Sequence, residues 1–142
     1  MKEPNRNQLW FRGIVFQSFL GIAVWMSFGL LLEGLLGFKT PTYLQDDVRR
    51  ELFRLAHAHG TLLNFLLLGV GLACDRLEIA ASKTIQLSLR IGVVLLPCGF
   101  FLAGVWHYES DPGIAIWLVP PSALLLIFAL VGLTLSARRS RN

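Results

Sequence analysis

The sequence predicts an all-α integral membrane protein, a four-helix transmembrane bundle, and three observations predict it. Of 142 residues, 54% are hydrophobic and only 15% are charged, with a mean hydropathy of +0.59. That balance is too apolar for a water-soluble domain of this size. Four runs are free of Asp, Glu, Lys and Arg: 13–32, 55–74, 91–106 and 113–137. The basic residues punctuate these runs instead of interleaving with aromatics on a patch, which argues against nucleic acid as a partner and for a lipid bilayer. Disorder, coiled coil and a multidomain enzyme are excluded by the same composition and length.

The first span is placed at about 13–36. It follows Lys2, Arg6 and Arg12 as a signal peptide would, but Leu35-Leu36-Gly37-Phe38 offers no small-residue cleavage site, so it reads as a retained helix. Pro41 then interrupts the chain. Thr42 with Gln45 forms a capping-box pattern, and Leu44, Val48, Leu52 and Leu55 recur at helical spacing, so a new helix is expected near Tyr43. Run on to Cys74 it would be roughly 48 Å long, more than a bilayer core. Its first turns therefore form a short amphipathic surface helix leading into the second span, 53–74. The third span, 87–107, needs Arg90 to snorkel to the interface. Asp111 and Pro112 are placed to start the fourth, 113–137. Pro97 and the pair Pro120-Pro121 lie within spans and would free the carbonyls of Val93, Ile116 and Trp117. The whole chain is one transmembrane domain.

Orientation follows from lysine and arginine. Nine of the thirteen lie on the side of the two termini and the second connection, and four in the first connection. The positive-inside rule puts both termini in the cytoplasm, of a bacterial-type inner (plasma) membrane. Six of nine acids and all three histidines fall on the outer side. Tyr43, Trp106 and Tyr108 mark that boundary, while Trp25 and Trp117 lie deeper as packing residues.

The chemistry is expected at this outer end. Glu33 near the end of the first span carries a cost of about 2.5–3.5 kcal/mol at the bilayer centre and less near the interface. Below it come Gly29, Met26, Ile22 and Ser18 at helical spacing. His57 and His59 point roughly 160° apart on a regular helix and cannot chelate one ion there. His57 belongs to a polar stripe with Arg50, Arg54, Thr61 and Asn64 and faces the bundle or its aqueous mouth, whereas His59 lies among Leu52, Leu55, Leu63 and Leu66 and faces a partner helix, a second subunit or the lipid headgroups. His107 shares a face with Phe100, Ala103 and Gly104, a small-residue floor suited to helix contact or a planar cofactor.

Three arrangements compete. A haem b would take His57 or His59 with His107 as axial ligands. A transition metal, copper, zinc or iron, would take His57, His59 and His107 with Glu33 or Glu109. In the third, the histidines are interfacial and Glu33 pairs with Arg50 or Arg54. Asn64, Arg54, Tyr108 and Glu109 are the expected supporting residues, the carboxylates orienting imidazole N–H groups.

The His57-Ala58-His59-Gly60 segment resembles an element of haem- and copper-binding respiratory membrane proteins; it covers four residues and implies no activity. Cys74 and Cys98 form neither a disulfide framework nor a haem-attachment pair. Phosphate-binding loops, nucleophile elbows and His-Glu-x-x-His are absent from the sequence, and the apolar inner halves and lack of a two-half repeat oppose a channel or transporter.

The expected function is therefore electron transfer or metal handling at an outer haem or metal site, as a homo-oligomer or a subunit of a larger membrane complex. The alternative is an assembly subunit or self-associating scaffold without a cofactor, built on its small residues; a pH sensor is a third reading.

Overall fold

The structure is a computed structural model that describes residues 6–108 and 111–139. The described residues form α1 (Arg6–Gly37), α2 (Pro41–Leu44), α3 (Asp47–Arg76), α4 (Lys83–Val105), a 3-10 helix (Ile114–Leu118) and α5 (Val119–Arg139). Four helical segments are long and apolar enough to cross a membrane: Trp10–Gly37, Asp47–Arg76, Lys83–Val105 and Ile114–Arg139. Large apolar side chains such as Phe16, Leu30, Leu62 and Leu124 lie exposed along them, a surface that hydrocarbon covers without penalty and water does not.

The first connection differs from the sequence expectation. The Thr42–Gln45 capping box does not form. Pro41, whose missing N–H costs nothing at a first helical position, opens the single turn α2 instead, and Thr40 precedes it without a side-chain cap. The helix that enters the second span starts afresh at Asp47, because the Asp46 carboxylate accepts the backbone N–H of Arg49 at 2.9 Å. From there α3 runs unbroken for 30 residues. Tyr43, expected at the boundary, is buried.

Arg90 does lie inside the third span, since α4 starts at Lys83 with Ser82 as its cap. Gln17 of α1 meets it: the Arg90 Nε donates to Gln17 Oε1 at 2.6 Å, and the Gln17 amide returns a bond to the Arg90 carbonyl at 3.0 Å. Pro97 lies within α4, which continues through it, and is fully buried, so the carbonyl it frees is shielded by protein. Pro120 and Pro121 do not interrupt a helix. The preceding residues are 3-10, α5 starts at Val119, and both prolines occupy its first turn, where backbone N–H groups need no helical partner. Asp111 does not cap this segment; Gly113 stands at its start, with its N–H on the Ala103 carbonyl at 3.1 Å.

The long helices pack antiparallel in chain order, α1 on α3, α3 on α4 and α4 on α5. Half of the most apolar window of α4 is buried against 11% of that of α1, which makes α4 the centre and α1 an edge. The core runs through Ile14, Leu67, Leu89, Val93, Leu96, Leu126 and Ala129. Glycines sit at each seam: a Cβ on Gly21 would overlap Asn64, one on Gly29 the His57 ring, one on Gly60 the Trp25 indole, and one on Gly104 would lie 2.9 Å from Phe53. Trp25, Phe28, Phe53 and Phe101 then form an edge-to-face and stacked aromatic cluster joining α1, α3 and α4. Such close approach supplies the dispersion contacts that hold the helices together.

Candidate functional site

All three histidines lie at the end remote from the termini, on three different seams. His57 projects from α3 onto α1. A backbone carbonyl can only accept, so the 2.8 Å contact between its Nδ1 and the Trp25 oxygen makes Nδ1 the protonated nitrogen. Its ring occupies the space that glycine leaves at position 29. His59 points the other way, as its helical phase requires. Its Nδ1 donates to the Leu55 carbonyl at 2.9 Å and its ring tilts over Phe100 of α4, with centroids 5.1 Å apart. In both imidazoles Nδ1 is engaged and Nε2 is the nitrogen left for another partner.

His107, just past the end of α4, is buried to within 8% of its side-chain surface. Its Nε2 donates to Asp46 Oδ2 at 2.8 Å, and its Nδ1 is buried with no partner. The sequence alone does not single out Asp46. It is the hub of a latch between the start of α3 and the end of α4: Oδ1 caps α3, Oδ2 takes His107, and Arg49 lies 3.5 Å from the same carboxylate. The Arg49 Nε also donates at 3.2 Å to the carbonyl of Gly104, one of the acceptors that the end of α4 leaves without a helical donor. An aspartate directly before a helical pattern was the sequence signal for the cap; its contact with residue 107 was invisible there.

The other expected site residues separate. Glu33 is exposed. The buried face of α1 passes through Ile14, Ser18, Gly29 and Leu32 while Met26 is exposed, so the stripe drawn through Glu33 and Met26 is off by part of a turn. Arg50 bonds the Leu44 carbonyl at 2.7 Å and pairs with Asp47, and Arg54 lies 3.8 Å from Glu51; neither turns to Glu33. Asn64 is buried and bonds the Gly60 carbonyl at 2.7 Å. Tyr108 is exposed in a one-residue bridge to Asp111. Glu109 lies outside the described residues.

Among the described residues, no group of three or more His, Cys, Asp or Glu side chains converges to hold a metal ion. Asp46, which holds His107, precedes His57 by eleven positions, roughly 16 Å of helix. Two imidazoles sharing one metal approach to about 4 Å, given metal–nitrogen bonds of about 2 Å. One chain therefore does not bring His57 and His107 onto a common ion, nor does it assemble the His57, His59, His107 and Glu33 set. The small residues Gly29 and Gly104 are taken up by contacts within the chain, against His57 and Phe53.

The fold and this end define a class, a helical protein with four helices able to cross a membrane and histidines tied to its packing seams. Compared with protein-family models, curated proteins and solved structures, the chain matches none.

The latch gives a pH dependence. Burial is the largest single influence on the Asp46 carboxyl and raises its pKa, but the Arg49 N–H, the His107 hydrogen bond and the attraction of both side chains together outweigh it. The net result lies below the ordinary 3.8. A carboxyl whose pKa is lower folded than unfolded contributes its full stability above the unfolded value and loses it as pH falls through the folded one. The thermal midpoint of the detergent-solubilised protein should thus be indifferent to Asp46 ionisation from about pH 7 to 5. It should fall more steeply below about pH 4 in the wild type than in Asp46→Asn; parallel acid limbs would contradict the assignment.

Proposed function

We propose that this protein is a small multi-pass membrane subunit, both termini cytoplasmic, that binds haem or a transition metal through histidine at its outer end and serves electron transfer or metal handling. One observation carries the reading. In each of the three histidines a protein acceptor holds one ring N–H, the Trp25 carbonyl for His57, the Leu55 carbonyl for His59 and the Asp46 carboxylate for His107. This is how ligating imidazoles are oriented, since fixing one nitrogen fixes the tautomer and aims the lone pair of the other. The buried, unpartnered Nδ1 of His107 is the sharpest instance, because a buried polar atom without a partner costs about 1–3 kcal/mol unless something satisfies it.

Since one chain does not gather these nitrogens at a point, the remaining ligands come from a second copy or another membrane subunit. The exposed α1 edge leaves room for such a neighbour on the side of His57. A bound haem or metal would supply the redox change; the chain's own part is to hold ligand nitrogens and exclude water from them. Purified protein should show a Soret band in the reduced-minus-oxidised spectrum or a stoichiometric metal by elemental analysis. Colourless, metal-free protein would overturn the reading in favour of a scaffold without a cofactor.

A further inference from the structure

A second polar feature lies at the opposite end of the molecule. Between α1 and α4 there is a cleft of about 420 Å³ lined by Gln17, Leu87, Arg90, Ile91, Val94 and Leu95. Its walls are apolar except for Gln17 and Arg90. The Gln17 amide holds the Arg90 Nε and leaves both terminal nitrogens of the guanidinium, which pass beside Gly13; a Cβ there would lie 3.6 Å from Nη1. Among the described residues no carboxylate lies within ion-pairing distance of Arg90. Arg90 follows Lys83, the first residue of α4, by seven positions, roughly 10 Å of helix. An arginine side chain at that depth reaches the headgroup level of a bilayer.

We propose that this cleft binds one phospholipid, its phosphate held in a fork by the Arg90 terminal nitrogens and an acyl chain lying along Leu87, Ile91, Val94 and Leu95. The planar guanidinium matches phosphate oxygens bidentately, and Gln17 sets its plane. The guanidinium charge and the apolar walls together ask for an amphiphile with an anionic head, which neither free phosphate nor hydrocarbon supplies. The inference rests on the chain spanning a bilayer and is independent of any haem or metal.

Native mass spectrometry of the full-length protein in detergent tests it, with palmitoyl-oleoyl phosphatidylglycerol, the diacylglycerol of the same chains, and inorganic phosphate as separate probes. The wild type should retain one phosphatidylglycerol at least about tenfold more than the diacylglycerol, with inorganic phosphate not retained. Arg90→Gln should lower retention by roughly tenfold or more, the range for losing a charged hydrogen bond. Val94→Trp, which narrows the cleft while keeping the charge, should also lower it, and Arg12→Gln should not. Equal retention of the diacylglycerol, or of inorganic phosphate alone, would overturn the proposal, as would full retention by a helical Arg90→Gln protein. Should Arg90→Gln fail to fold, the comparison of probes on the wild type decides alone.

Discussion

Replacing Asp46 by alanine is expected to cost about 2.5–4 kcal/mol of stability, combining roughly 1 for a lost helix cap with about 1.5–3 for a charged hydrogen bond. Three contacts go at once, the cap on the Arg49 N–H, the His107 bond and the Arg49 ion pair, and the buried His107 is left with neither ring nitrogen partnered. Asp46→Asn keeps a good capping group and should lose about half as much. Asp47→Ala, whose carboxylate is 84% exposed, should cost no more than about 1 kcal/mol. Unfolding midpoints in one detergent, followed by circular dichroism, rank the three; equal losses at 46 and 47 would remove the latch from this account.

The second large effect lies at the seam of α1 and α3. Gly60→Ala places a methyl group into the Trp25 indole, and the indole is itself held by Phe28 and Phe101. Overpacking of this kind costs typically about 1–3 kcal/mol. Gly69→Ala on the same helix meets nothing within 4 Å. There the methyl adds only helix propensity, worth up to about 1 kcal/mol relative to glycine. The two substitutions are chemically identical, so opposite signs in the same unfolding assay would report the helix packing and not glycine content; matching signs would contradict the seam.

These contrasts mark what the sequence carried and what it did not. The four spans were legible because the charge-free runs set the solvent for each stretch; the helix ends agree with them to within a few residues, whereas at their starts α1, α3 and α4 begin earlier and α5 begins later, behind the 3-10 helix. Of α3 the divergence of His57 and His59 was legible from helical phase, and they meet α1 and α4 respectively; its buried face, through Leu52, Ala56, Gly60 and Asn64, follows neither of the two stripes. The facing of α1 was not legible. Its residues are apolar all round, and lipid-facing and helix-facing positions are then chemically alike, so the stripe anchored on Glu33 meets the buried face at Ser18 and Gly29 but leaves it at Met26 and Glu33. The prolines at 120 and 121 misled because the residues before them are apolar enough to extend the span, yet fold as a 3-10 turn that leaves the prolines in a first helical turn. The latch was out of reach for a different reason. It joins positions 46 and 107, 61 residues apart, through a single carboxylate whose local role as a cap already accounts for its presence.

The candidate site divides the same way. Sequence placed the three histidines at one end, and the structure keeps them there, but their separation onto distinct seams depends on helix phase and on close contacts at Gly29 and Phe100 that no spacing rule supplies. The ligand reading accordingly passes from a shell within one chain to oriented imidazoles awaiting a partner.

The most direct test of that reading is the cofactor content per chain of the purified wild type beside His57→Ala, His59→Ala and His107→Ala, with far-ultraviolet circular dichroism on each sample. The account predicts a stoichiometric haem or metal in the wild type that falls by at least about tenfold, the low end for losing a ligand or its orienting partner, in at least one variant whose helicity is unchanged. Content that is absent from the wild type, or identical across all four proteins, would contradict it.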